Sequence, residues 1–506
     1  MNEMSEKYCK SMYSMHQIEK SEDYILPDSY PDVKNVISCN CRFIDVKKYY
    51  GPTEAEIGAT VVYNILFSAI NNNGEAVLCS LNFKDEVKEC IKYKYNNVSV
   101  STKPEIIQTN CRMANPRKFA IKNLIKVDMF ETVEENVYPF IECKLQENPN
   151  MQYLIDEIEV LESASVVLSE HSFSDNIEMD SRCPEIKELV YWNTDLKVFD
   201  EKRGENDVQT KLKGVFIISC IYIDVSDKYN QYSTEIPFNI TLNDDEKATI
   251  GEHSGFSFIY PSANISAMNL NVAQNQYGES KVLEFDADYD IDLLLLGNKK
   301  VMAVKDAYST NLNCEAEISK TKMISIDGYC KTNITCSEVN ESSLLPNISC
   351  CIGVNSNIDE FKVQSQDKIT GKVKNKIGMM SDDGNVILKE ISSAFSCKNE
   401  SLSSSGVVGK IDTQTTKLHF DSGKLYSDSE LYFNLVSLAE SNVNICKSVS
   451  NFAPQTKASD SVFSIYYQTP SDSLWNTAKL KKTTTDEIKK LNPDYDNRYA
   501  SAIIIE

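Results

Sequence analysis

The feature that most constrains this chain is an opening pattern that occurs twice, 153 residues apart. Tyr24-Ile25-Leu26-Pro27 followed by Pro31-Asp32-Val33-Lys34-Asn35-Val36 returns as Ile177-Glu178-Met179 followed by Pro184-Glu185-Ile186-Lys187-Glu188-Leu189. Self-similarity at a fixed period means that one structural unit is built more than once. Each opening leads into strand-like sequence. Thr60-Val61-Val62-Tyr63-Asn64-Ile65-Leu66-Phe67 is β-branched and aromatic, Asn71-Asn72-Asn73-Gly74 supplies a turn, and the apolar run resumes at Ala76-Val77-Leu78 and ends at Leu81-Asn82-Phe83. That order predicts a β-hairpin.

The second copy carries its hairpin as Gly214-Val215-Phe216-Ile217-Ile218-Ser219-Cys220-Ile221-Tyr222. Ile236-Pro237-Phe238 then matches Leu81-Asn82-Phe83 at a spacing of 155, and the two-residue drift is assigned to a loop. Closing strands are expected at Lys118-Phe119-Ala120-Ile121-Lys122 and from Val282 to Ile291. A third, degenerate copy runs from Asp367-Lys368-Ile369-Thr370-Gly371-Lys372-Val373 through Ser381-Asp382-Asp383-Gly384 into Val386-Ile387-Leu388, and closes with Glu430-Leu431-Tyr432-Phe433-Asn434-Leu435. The fold class expected is mainly β, with tandem antiparallel β-rich units at 1–165, 166–310 and 311–450. The Leu-Pro-x-x-x-Pro-Asp-Val-Lys opening and the Gly-strand-turn-strand-Pro-Phe order resemble the SPOCS domain of endospore-forming clostridia and their relatives.

Beyond a polar, breaker-containing linker at 451–462 the pattern changes. Phe463-Ser464-Ile465-Tyr466-Tyr467-Gln468 reads as a short strand. Ser471 or Asp472 is placed to cap a helix whose apolar face holds Leu474, Trp475 and Ala478. Thr484 and Glu487 have capping-box spacing, Ile488 and Leu491 give the next helix its apolar side, and Asn492-Pro493 ends it. Ala502-Ile503-Ile504-Ile505 closes as a strand. A βααβ module this small needs an anchor, and Trp475 is the expected one.

The Pro-x-Asp-x-Leu-Trp-x-x-Ala stretch and the Thr-Thr-x-x-Glu-Ile-Lys-Lys-Leu-Asn-Pro stretch resemble a LysM module at 463–506. LysM modules usually carry Gly where Ser471 stands, and a Pro-Gly turn where Tyr499-Ala500 stands. Those loops line the groove in which LysM modules bind N-acetylglucosamine polymers, so the departures weigh against sugar. The resemblance implies a partner-binding surface on the loops and first helix: Pro470, Ser471, Asp472, Leu474, Trp475, Asn492, Pro493 and Tyr499. SPOCS repeats followed by a terminal LysM resemble a family of clostridial coat proteins whose LysM end binds SpoIVA, the ATP-hydrolysing protein of the coat basement layer. The resemblance implies a non-enzymatic scaffold in the mother-cell cytoplasm, at the forespore surface. The alternative is a protein that binds peptidoglycan or N-acetylglucosamine in the cell wall or cortex.

Charge narrows the partners. The chain carries 74 acidic and 52 basic residues for a net −22, which repels phosphate backbones and anionic membranes. Residues 463–506 hold six of each sign, so the whole excess sits on 1–462. No apolar run reaches the length of a membrane span, and the N-terminus lacks the apolar core of a signal peptide. The 16 cysteines are therefore expected to be reduced.

Chemistry-bearing patterns are sparse. His16, His171, His253 and His419 have no neighbour at metal-ligand spacing, and neither Cys39-Asn40-Cys41 nor Cys350-Cys351 has the spacing of a zinc or redox site. Asp286, Asp288, Asp290 and Asp292 alternate along one strand and are expected to form a solvent-facing, charged strand edge rather than a cation site. No catalytic residue, metal ligand or cofactor is assigned.

Overall fold

A computed structural model describes residues 7–136, 150–200 and 211–454 apart from short loop segments (72, 96–97, 253–255, 342–347, 365–367, 382–384, 399–401, 403–405 and 422–423). Of the C-terminal region it describes 464–467, 473–493, 495 and 502–505. The protein is mainly β, as its alternating apolar runs require. The first unit contains β1 (Lys7–Ile25), β2 (Val33–Tyr50), β3 (Glu54–Ile70), β4 (Ala76–Lys92), β5 (Val98–Asn115) and β6 (Lys118–Asn136). These form two antiparallel sheets, β1-β6-β5 and β2-β3-β4. Their inward faces enclose one core, in which Tyr63, Phe67 and Phe119 are fully buried.

The second unit repeats that order with β7 (Met151–Glu178), β8 (Ile186–Asp200), β9 (Leu212–Asp224), β10 (Tyr229–Ile240), β11 (Phe258–Ala273) and β12 (Val282–Ser309), plus a helix α1 (Asp244–Glu252). Its sheets are β7-β12-β11 and β8-β9-β10. The third unit has β13 (Leu312–Glu341), β14 (Ile348–Gln364), β15 (Lys368–Ser381), β16 (Val386–Lys398), β17 (Val407–Asp421) and β18 (Lys424–Pro454), in sheets β13-β18-β17 and β14-β15-β16. Nothing in its strand order is degenerate. β7 runs through the 165/166 boundary expected from sequence, and β18 carries the third unit to Pro454, so 451–454 is strand rather than linker.

Local chemistry explains the repetition. The Leu26-Pro27 opening is pinned when Leu26 and Val33 donate backbone N–H groups to the carbonyls of Arg117 and Pro116, and the Arg117 guanidinium returns bonds to the carbonyls of Leu26, Pro27 and Tyr30. Met179 and Ile186 repeat the pair on Lys281 and Ser280. The hairpins close alike. Asn71 Oδ1 accepts from the N–H groups of Asn73 and Glu75, Asp224 Oδ1 from those of Ser226 and Lys228, and Ser381 Oγ from that of Asn385.

Those turns correct one alignment. The first two hairpins have loops of equal length, so Phe83 opposite Tyr63 corresponds to Ile236 opposite Phe216. The spacing of 153 holds from the opening through this hairpin, without a two-residue drift. Phe238 lies farther along β10, opposite Gly214, where its ring fills the space a side chain would take.

The three units meet along a common line. Asp128, Asp292 and Asn434 occupy equivalent places in β6, β12 and β18, and Phe130, Leu294 and Val436, each two residues on, pack into one apolar cluster. A second apolar seal joins Ile37, Leu66 and Leu78 with Tyr191 and Ile221 and with Ile352 and Met380. Gly378 belongs to that seal: a Cβ there would stand 2.6 Å from Ile37 Cγ2. Among the described residues, no helix is long and apolar enough to cross a membrane.

Candidate functional site

The C-terminal module is assembled from β19 (Ser464–Tyr467), α2 (Leu474–Lys481), α3 (Thr485–Leu491) and β20 (Ala502–Ile505). Ser473 caps α2, its side chain accepting from the Asn476 N–H. That is one position beyond the residues expected to do so. The Thr484–Glu487 capping box is formed in full, and hydrogen bonds from Thr483 and Thr484 hold the Glu487 carboxyl below its usual range. Ala478, Ile488, Ile503 and Ile505 are buried, with Leu474 and Trp475 packed against them.

Trp475 does more than anchor its own module. The indole Nε1–H donates to Asp306 at 2.9 Å, and the ring meets Tyr308 edge-on at 4.9 Å. Lys479 Nζ bonds both Asp306 oxygens, at 2.6 and 2.7 Å, and the Tyr308 hydroxyl donates to the Thr483 carbonyl at 2.7 Å. Burial, with the negative charges of Glu487 and Asp306, pushes the Tyr308 hydroxyl up to about 12. The end of β12 thus forms a seat, and the module is not a free tip.

Asn492 is also consumed internally. Its amide Nδ2 donates to the Ile488 and Ile504 carbonyls at 2.8 Å, and its Oδ1 accepts from the Ile504 N–H at 2.9 Å. It ties α3 to β20 instead of facing a partner. Pro493 is an exposed turn residue. Pro470, Ser471, Asp472 and Tyr499 lie outside the described residues. The far side of the β19–β20 ribbon faces outward. Ile465 and Ile504 form a cross-strand pair on that side, 63% and 43% exposed, and Tyr467 beside them is 70% exposed. The signal for this surface in the sequence is the alternation within β19 and β20, which sets Ile465 and Tyr467 on one face and Ile503 and Ile505 on the other.

A second polar assembly lies where the units meet. Lys103 is fully buried, its amine donating to the Tyr260 carbonyl at 2.5 Å and lying 3.6 Å from the Tyr260 ring centroid. The Tyr260 hydroxyl donates to Glu105 at 2.9 Å. Lys126 pairs with Asp128 and Glu105, Lys410 with Asp412 and Glu105, and Lys197 with Asp195 and Asp412. Lys48 pairs with Asp292. Burial depresses the Lys103 amine to about 7. Burial would raise the carboxyls of Glu105 and Asp412, but the neighbouring lysines, Lys410 first, hold both below their usual range. Every unit contributes to this network. Removing one partner would leave a buried charge uncompensated, so its pairs fix how the units sit.

Asp292 therefore does not belong to a solvent-facing edge. β12 is the middle strand of its sheet, Asp292 is 6% exposed, and its carboxylate is held by Lys48 and Ser165. Asp286 accepts from the Ser174 hydroxyl and Asp290 from the Glu170 N–H. Among the described residues no group of three His, Cys, Asp or Glu side chains could hold a metal ion. His171 pairs with Glu246 at 3.0 Å, and His419 stacks on Tyr426. His253 lies outside the described residues, and the cysteines whose side chains are described are free thiols.

Beside the charged network a cavity of about 1660 Å³ opens between the three units. Its wall is polar, with Asn40, Asn193, Asn355, Ser233 and Thr416 from different strands. Comparison of the chain with protein-family models, curated proteins and solved structures finds no match.

Proposed function

We propose that this chain is a non-enzymatic scaffold of endospore coat assembly that docks to a SpoIVA-like coat basement protein through its C-terminal module. The proposal builds on the SipL-like (SpoIVA-interacting protein L) proteins that its domain order resembles. The observation that carries the reading is the outer face of the β19–β20 ribbon. Ile465, Tyr467 and Ile504 form an exposed apolar patch on a small module whose opposite side is already occupied by its own helices and by the seat at Asp306 and Tyr308. Exposed aromatic and aliphatic residues grouped on one face mark protein contact surfaces. Leu480, 63% exposed at the end of α2, adds apolar area to the module.

The body supports a scaffold role by its construction. Three like units locked through buried ion pairs and two apolar seals present a rigid platform. Trp475 and Asn492 act within it by holding the module in shape and in place. The test is retention of a SpoIVA-type coat protein by the full-length chain in a pull-down from sporulating cells. Retention lost on Tyr467→Glu supports the reading. Sedimentation of the chain with insoluble peptidoglycan, unchanged by that substitution, favours the glycan-binding alternative instead.

A further inference from the structure

The lysines of β15 share one face. Lys368, Lys372, Lys374 and Lys376 are separated by even steps, so they project from the same side of the strand, while Ile369, Val373, Ile377 and Met379 fill the core on the other. β15 is the middle strand of its sheet, so its backbone is fully paired and its side chains decide what the outer face can hold. Lys362 of β14, opposite Thr370, and Lys398 of β16, opposite Lys368, lie on the same face. Glu390, opposite Lys376, lies on the same face. Lys362, Lys374 and Lys376 line the cavity, and the row continues out of it.

The other two units show what this face is for. Counted back from the equivalent turn residues Asn71, Asp224 and Ser381, the positions of Lys372, Lys374 and Lys376 hold Val62, Asn64 and Leu66 in the first unit and Val215, Ile217 and Ser219 in the second. In the first unit the face is covered by its successor: Leu66 is fully buried against the second unit, and Asn64 donates to the Trp192 carbonyl. In the third unit the same face is lysine-rich as far as Lys376, and beyond it Gly378 and Met380 pack against Ile37 of the first unit. A basic face in a chain of net charge −22 disfavours apolar stacking and attracts carboxylates, and the walls of the cavity focus that field. Asn355, Asn357 and Ser392, opposite Lys376 and Lys374, add hydrogen-bonding groups for a peptide backbone.

We propose that the outer face of β14-β15-β16, where it opens into the inter-unit cavity, binds an extended acidic polypeptide segment of a partner protein. The proposal does not depend on the role assigned to the C-terminal module. A nucleic acid fits less well, because its continuous charge would also meet the acidic remainder of the chain.

The test uses full-length protein and fluorescence anisotropy with a short labelled peptide of alternating Glu and Ser, and a Lys/Ser peptide of equal length as control. Binding of the acidic peptide alone is expected, weakening with salt, and roughly tenfold weaker in Lys374→Glu/Lys376→Glu. Lys84→Glu, an exposed change in the first unit, is expected to leave it intact, with thermal melts confirming that each variant is folded. Equal affinity in the double variant overturns the proposal, as does equally tight binding of single-stranded DNA of the same charge. Concentration-dependent self-association that the double variant abolishes also overturns it, because the occupant is then a second copy.

Discussion

The indole N–H of Trp475 reaches the Asp306 carboxylate across 169 residues of sequence, at 2.9 Å. One carboxylate accepts from both Trp475 and Lys479, and beside it the Tyr308 hydroxyl donates to the Thr483 carbonyl, so the C-terminal module and the second unit share a polar joint. Asp306→Ala is expected to loosen the module by about 1–2 kcal/mol, since the partly exposed lysine contributes little and the indole bond most of it. Hydrogen exchange reads this directly: α2 should exchange faster while β3 and β9 are unchanged.

Asn492 bridges α3 and β20 through three hydrogen bonds. Asn492→Asp keeps the shape but cannot donate to the Ile488 and Ile504 carbonyls. A loss of about 2 kcal/mol in module stability is expected, visible as an early transition in a melt followed by tryptophan fluorescence.

The buried Lys103 sets a pH dependence. Its amine sits at about 7 when folded, against a usual value of 10.5. Between those values the unfolded chain binds a proton that the folded chain does not, so this group makes stability rise with pH from about 7 towards 10.5. Lys103→Met is expected to flatten that rise and to stabilise the protein more at pH ~6 than at pH ~10. Denaturant midpoints across this range measure it, and identical slopes for both proteins would contradict the assignment.

Gly409 lies at φ +114°, and a Cβ there would stand 2.1 Å from the Asn434 carbonyl oxygen. Its own carbonyl accepts from Lys126 in the inter-unit network. Gly409→Ala combines a strained backbone with a clash against an immovable strand. Soluble yield and melting temperature should both fall sharply.

Local signals made much of the fold legible from sequence. The Thr60–Phe67 hairpin, the Thr484–Glu487 capping box and the Ala502–Ile505 strand each depend on neighbours a few residues away. The six-strand pattern repeats even in the third unit, where its motifs are faint. Tertiary partners stayed hidden. Alternation places Asp292 with Asp286 on one face, but only the packing of Lys48 from another unit shows that it is buried. Trp475 reads as a core anchor, and nothing near it announces Asp306. The Phe238 match misled because a Pro-Phe pair resembles Asn82-Phe83 while the turn geometry sets the true register.

The most direct test of the scaffold account measures binding of purified full-length chain to a purified SpoIVA-type coat basement protein, comparing the natural sequence with Tyr467→Glu. Tyr467 is exposed and outside the module core, so the melting temperature should not change. The account predicts that affinity falls by about tenfold or more. Unaltered affinity in a folded variant would contradict docking through the β19–β20 face.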